Sequence, residues 1–191
     1  MLAVEPSAVM RTQRPPGAAP CIDARAEALP LPDGAFDATM AVLSDHHWRD
    51  RAAGLRELRR VGRRAVIFQW DPAWREAFWL CEQYLPSFAR GLEDSFWAAR
   101  EALGAVEEVP VPIPHDCRDG FLLAYWRRPE AFLDPLARAN ISVFSLLPAD
   151  EVEATVRRLR ADLASGAWER RNGHLRGLDA LDVGCRVVIA R

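Results

Sequence analysis

The chain has 191 residues, half of them hydrophobic, with a formal net charge of −2 and a sequence pI near 6.1. That is one domain, or one domain with a cap, large enough for a real core and with no global charge drawing it to nucleic acid or an anionic membrane. All 25 basic residues are arginine, and the four cysteines (Cys21, Cys81, Cys117, Cys185) form no C-x-x-C pair, which argues against a structural zinc site or disulfide framework and fits a reducing, cytoplasmic location. No apolar run approaches the ~20 residues that span a bilayer, and no signal peptide is visible.

Residues 2–5 read as a short strand ending on Glu5. Residues 11–20 are Pro-rich, so no helix persists there. Cys21–Ala24 can form a short strand, and Pro30–Gly34 mark a turn. Phe36–Leu43 is an apolar run between turn signals and predicts a buried parallel strand. Asp50–Arg60 is helical, with Ala53, Leu55, Leu58 and Val61 inward and Arg51, Arg56, Glu57, Arg59 and Arg60 toward water. Ala65–Trp70 predicts another buried strand, and Asp71-Pro72 opens a helix. Ala3–Glu5, Phe36–Leu43 and Ala65–Trp70 are expected as inner strands.

Residues 73–103 are helical in composition and crowded with aromatics: Trp74, Phe78, Trp79, Tyr84, Phe88, Phe96 and Trp97. Helical spacing places Trp74 and Phe78 on one face. Val106–Pro114 is extended, but Pro110, Pro112 and Pro114 confine it to a sheet edge. Arg118–Ala139 reads as helices broken near Pro129 and Pro135. Asp150 with Glu153 predicts a capping box for a helix to about Ser165, stopped by Gly166. Cys185–Ala190 is a final strand. Strands alternating with helices give an α/β class, mostly parallel sheet with helices on both faces. The expected organisation is a single domain over 1–191 with a helical, cap-like insertion within 72–104 and 115–165.

Two segments carry a family resemblance. Leu2-Ala3-Val4-Glu5-Pro6-Ser7 ends a strand on a carboxylate. Ala26-Glu27-Ala28-Leu29-Pro30-Leu31-Pro32-Asp33-Gly34-Ala35-Phe36-Asp37 then leads to an apolar run and His46-His47-Trp48. Together they resemble the second half of the cofactor site of class I S-adenosylmethionine-dependent methyltransferases, type 11 group, with a Rossmann-like fold. The resemblance implies S-adenosylmethionine as cofactor. It places Glu5 on the ribose diol, since a carboxylate accepts two hydrogen bonds from vicinal hydroxyls. It places Ala26 and Glu27 at the adenine edge, with Leu43 and Trp48 also against the cofactor. Arg25 stands where the family often has Asp. A tight apolar turn at Leu29–Pro32 is the other reading of this segment.

In the family a first strand and Gly-rich turn precede the acidic residue, by roughly 20 residues in the analogous dinucleotide fold. The resemblance therefore implies a chain that begins at the second strand, with the strands of Val4 and Ala41 either pairing directly or leaving a gap. It implies weak or no cofactor binding by residues 1–191 alone. Leu181-Asp182-Val183-Gly184-Cys185 looks like the missing glycine motif, but Arg186 follows and no helix does, so it reads as a turn into the last strand.

Ligands of open parallel sheets bind outside the carboxyl ends of the strands. Ser44–Trp48, Trp70-Asp71 and His115–Cys117 all follow strands or extended runs, so His46, Asp71 and His115 are expected on one rim. His46 and His115 are the candidate bases for an acceptor with a proton to lose. Alternatively, His46 caps the next helix and His115 bonds a loop. A metal set from His46, His47, Asp71, His115 and Asp116 has no fixed spacing, so no metal is predicted. The aromatic stretch reads as core or as a cap over a partly apolar small-molecule acceptor. The arginines of 49–64 read as a solvated helix face, so no nucleic-acid partner is predicted. Pro114-His115-Asp116-Cys117-x-Asp119-Gly120-Phe121 with Arg128-Pro129-Glu130 resembles a bacterial subgroup of the same family. The implied function is methyl transfer to a small molecule. The alternative is a catalytically silent, methyltransferase-like binding or structural protein that lost its cofactor loop.

Overall fold

The computed structural model describes residues 1–85, 87–88, 96–97 and 100–191, and they divide into two compact units. The first comprises Met1–Trp70, the described part of 94–109, and Arg186–Arg191; the second comprises the described part of 71–93 and Pro110–Cys185.

In the first unit β1 (Ala3–Val4) pairs in parallel with β2 (Cys21–Ile22). Between them lies a five-residue helix, α1 (Ala8–Thr12), capped by Ser7, whose hydroxyl accepts the Met10 N–H. A separate four-stranded sheet has the order β3 (Thr39–Val42), β4 (Ala65–Trp70), β8 (Cys185–Ala190), β5 (Val106–Pro110). β3 and β4 are parallel, with Ala41 opposite Ile67. They are joined by α2 (Arg51–Val61), whose N-cap Asp50 accepts the Ala53 N–H at 2.8 Å. A parallel strand–helix–strand crossover of this kind is the unit of Rossmann-like α/β folds. Leu55 and Leu58 of α2 pack with Ala41, Ala65, Ile67, Leu103, Val188 and Ala190 in one buried cluster.

Several expectations shift. Only β4 lies inside the sheet as expected. β3 is terminal in the described order, and β1 pairs with β2 alone. Within β3 only Ala41 is buried, while Met40 and Val42 are exposed. The 36–43 run is also divided. Phe36 donates to the Val61 carbonyl and accepts from Arg63 N–H, closing on the end of α2, so the ladder starts only at Thr39. The strands of Val4 and Ala41 are not paired among the described residues. At the other edge the proline argument holds: β5 is terminal, and the chain then leaves to form β6 (Ile113–Pro114), antiparallel to β7 (Ala180–Leu181). Gly184, at φ +92°, provides the turn into β8.

The second unit is built of short helices around aromatic rings. The first part of the helix expected over 73–103 is instead a 3₁₀ turn (Pro72–Ala77) and α3 (Trp79–Gln83), separated by extended Phe78, while residues 96–97 and 100–101 are helical as expected. Trp74 therefore stays 39 % exposed while Phe78 is fully buried, and the two do not share a helical face. Residues 86, 89–95 and 98–99 of that prediction lie outside the described residues. The helical segments are broken near Pro129 and Pro135 as expected, and each proline starts the next element, a 3₁₀ turn Pro129–Leu133 and a helix Pro135–Ala139, because proline is pre-set for a first turn. The helix Ala149–Ala164 begins after Pro148 without a side-chain cap. Asp150 thus lies inside its first turn, where its charge favours the helix dipole, and makes no capping box. Gly166, at φ +71°, follows its end as expected. Trp79 meets Trp168 edge-on with centroids 5.4 Å apart. Its indole N–H donates to the Trp126 carbonyl at 2.7 Å, and that of Trp126 to Ile113 at 2.9 Å. No helix among the described residues is long and apolar enough to cross a membrane.

Candidate functional site

The first unit presents three polar loops at strand ends. Glu5 follows β1 and is half-buried. Its Oε1 accepts the Ser7 N–H at 2.8 Å, and its carbonyl accepts from Arg11, which also pairs with Asp23. Oε2 has no bonded partner among the described residues, so it is available to a hydroxyl.

Ala26 and Glu27 form the tip of a tight turn in which Ala28 N–H donates to Arg25 O. The turn leaves the Ala26 N–H without a partner among the described residues. The Glu27 carboxylate reaches across to accept the Arg49 N–H at 2.7 Å and the Asp50 N–H at 3.3 Å. Burial alone would raise its pKa, but these backbone donors and Arg25 outweigh it and hold the carboxyl below its ordinary value. The following Leu-Pro segment is fixed from α2. Arg60 donates to the carbonyls of Leu29 and Leu31 and to Asp33, and Glu57 accepts the Leu29 N–H at 2.8 Å. The Arg60 hydrogen bond is the main reason that Glu57 also stays below the usual carboxylate range. Two residues read as solvated in the sequence are therefore what hold this loop.

The third loop follows β3. Leu43 makes the last rung of the ladder, its N–H donating to Phe68 O at 2.8 Å. It then adopts φ +44°, the only non-glycine positive φ among the described residues. A left-handed leucine costs on the order of 1–2 kcal/mol, and such strain gathers at functional sites. The strained turn leads into a 3₁₀ turn of Asp45, His46 and His47. Asp45 is 1 % exposed. The two imidazoles are in contact but tilted, with centroids 4.0 Å apart and planes at 46°. Partial desolvation is the largest influence on the His46 ring, although the residue stands exposed at the surface. With His47 and Arg51 that desolvation pushes the imidazole below its ordinary pKa, against the opposing pull of Asp45. Trp48 is half-buried on the core cluster. A Cβ on Gly54 would stand 2.3 Å from its Cε3, so the ring is seated directly on the α2 backbone.

Glu5, Ala26, Glu27, Leu43, His46 and Trp48 thus all belong to the first unit, and Glu27 ties the second loop to the third. Asp71 and His115 belong to the second unit. Asp71 is buried and caps its 3₁₀ turn through the Ala73 N–H at 2.9 Å. His115 donates its backbone N–H to Asp179 O, and its Nδ1 lies 3.8 Å from Asp116. Among the described residues no cluster of three or more His, Cys, Asp or Glu could hold a metal. The residue that sequence reasoning missed is Arg51. It donates to Asp45 and Gln69, and these were the available signal: an Asp just ahead of the histidine pair, and a Gln near the end of an otherwise apolar strand.

The comparisons agree with this architecture. A family described as "Methyltransferase domain" matches residues 1–68. The solved structure of a protein from Anabaena variabilis ATCC 29413, assigned as a methyltransferase of an antibiotic biosynthesis pathway, is 33 % identical with a TM-score of 0.86, covering 100 % of this chain and 81 % of that one. The chain belongs to the class I methyltransferase family. The demethylmenaquinone methyltransferase of Thermus thermophilus is 34 % identical over 99 residues, 48 % of this chain. The chain spans 45 % of the length of that curated relative.

Proposed function

We propose that the protein transfers a methyl group from S-adenosylmethionine to a small, partly apolar acceptor. The observation that carries this reading is the donor and acceptor pair left open at the strand ends. The Ala26 N–H suits the edge of an adenine, and the free Glu5 oxygen suits a ribose hydroxyl. These are the residues that would hold the nucleoside, with the strained Leu43 turn beside the end of β3. When bound, the cofactor supplies an electrophilic methyl carbon on a sulfonium. The chain's own part is to align an acceptor atom with that carbon and keep water away. His46, held toward its neutral form, is the proposed base for an acceptor that must lose a proton, and His115 is the second candidate. The acceptor's apolar character is proposed by analogy with the quinone named for the Thermus relative. The helical segments within 72–104 and 115–165 are proposed as the cap-like insertion, and the cytoplasm as the location.

Saturation-transfer NMR with S-adenosylhomocysteine tests the cofactor reading and registers binding as weak as millimolar. Saturable binding that Glu5→Gln weakens about tenfold or more is expected, the size of a charge-assisted hydrogen bond. Equal binding by Glu5→Gln would favour the catalytically silent protein.

A further inference from the structure

The mechanism so far leaves one buried charged group unused. Asp45 opens the 3₁₀ turn that carries His46 and His47. Its Oδ2 accepts a hydrogen bond from Arg51 Nε at 2.7 Å, and Arg51 Nη2 lies 2.5 Å from the same oxygen as an ion pair. The Asp45 side chain is 1 % exposed and that of Arg51 16 %. Arg51 Nη2 also donates to Gln69 Oε1 at 3.2 Å, and Gln69, at the end of β4, is itself buried. The guanidinium carbon stands 5.2 Å from the Phe96 ring centroid. One turn after β3 is therefore clamped to the first residue of α2 and to the end of β4.

A buried ion pair is a poor way to gain stability, because desolvation of two charges offsets most of their attraction. Packing alone would be served as well by apolar side chains. The pair is also incomplete: Asp45 Oδ1 is buried with no hydrogen-bond partner among the described residues. A group kept at that cost is explained by what it sits beside. The charged and titratable groups acting on His46 are Asp45 and His47 from its own turn and Arg51 from α2. The carboxylate and the guanidinium act on the imidazole with opposite signs.

We propose that Asp45 and Arg51 are positioning residues for His46: their ion pair fixes the turn that aims the imidazole and balances the charge beside it. The proposal deepens the reading of His46 as the acceptor's base and depends on that reading for its catalytic meaning. The physical coupling can be tested without turnover. In Asp45→Asn the Arg51 cation loses its counter-charge, so proton binding by His46 weakens and its titration midpoint falls. In Arg51→Gln the Asp45 anion is unopposed, so the midpoint rises. Arg51→Lys keeps the charge and should return the midpoint toward that of the unaltered chain.

The measurement is the pH titration of the His46 Cε1–H resonance in the full chain, assigned by its loss in His46→Ala. Opposite shifts in the two neutral variants, with restoration by lysine, are the expected result. Shifts of the same sign, or none, overturn the proposal. Arg51→Gln leaves an unpaired buried carboxylate and can fail to fold. Asp45→Asn, nearly isosteric, then decides alone: a midpoint that does not fall overturns the proposal. The base reading fails separately, if the His46 midpoint moves as expected while the acid limb of the methyl-transfer rate does not follow it.

Discussion

At the carboxyl end of β3, a carboxylate 1 % exposed keeps one oxygen without a partner among the described residues, beside a leucine at φ +44°. In the interior of the second unit the buried polar atoms are mostly closed off. Two indoles donate to carbonyls, Thr155 donates to Tyr84 O at 3.0 Å, and Gln83 and Asn172 exchange amide bonds at 3.0 and 3.1 Å. The exceptions there, among the described residues, are the Trp168 indole N–H and Arg128 Nε, both buried without a partner. Satisfied polar groups rigidify a core, and incompletely satisfied ones persist where something other than stability is selected. The contrast separates an interior whose polar groups are mostly paired from a strand end where a buried charge is left partly open.

The largest effect should come from the scaffold. Trp126 is fully buried and holds both an aromatic neighbour's donor and its own. Trp126→Ala should lose roughly 3–5 kcal/mol, read as a lowered urea midpoint. A loss below 1 kcal/mol would mean that the aromatic interior is not what holds the second unit. Next comes the helix seat behind the rim. Gly54→Ala gains about 1 kcal/mol of helix propensity. It also forces its methyl into the Trp48 ring, a clash worth roughly 1–3 kcal/mol. Net destabilisation that disappears when Trp48 is also made Leu is the expected pattern. A stabilised single variant would show the ring free to move.

Smaller effects come from titration. Burial, with the bond to Asp162, pushes the Tyr84 hydroxyl from 10.0 up to about 12. A raised pKa gives stability that is complete below the unfolded value and is lost as pH rises through the folded one. Unfolding should therefore become easier between pH 10 and about 12, and Tyr84→Phe should remove most of that slope. The smallest is Asp162. Bonds from Tyr84 and Arg171 hold its carboxyl below 3.8, so its stabilisation is present above that value and fades as pH falls through the folded one. The pair is partly exposed, 27 % and 43 %. Asp162→Asn should thus cost below ~1 kcal/mol at neutral pH and flatten the acid limb of a pH–stability curve. A steeper loss would mean that this network is as charge-dependent as the rim.

Much of the first unit was legible from residue order. The Ala65–Trp70 strand, the helix after Asp50, the edge set by Pro110 and the glycine entry to β8 all follow from local rules that packing did not overturn. The family resemblance rested on Glu5, Ala26 and Glu27, and it was enough to reach the fold. Local rules failed where two segments compete for the same backbone. Phe36 closes on α2 rather than extending β3, and Phe78 interrupts a helix because its ring is drawn into the aromatic interior.

What the sequence by itself determined was therefore the class: apolar runs between turn signals, a carboxylate at a strand end and a Leu-Pro turn at family spacing. What only the tertiary structure decided was which charges are structural and which stand at the site. Arg51, Glu57 and Arg60 lie on a helix whose pattern assigns them all to water. A helical period reports which face a residue leaves from, and a long side chain bearing a charge can still turn back to a partner that lies elsewhere in the chain. Asp45 on one loop, and Leu29 and Leu31 on another, supply those partners, and no spacing along the chain announces them.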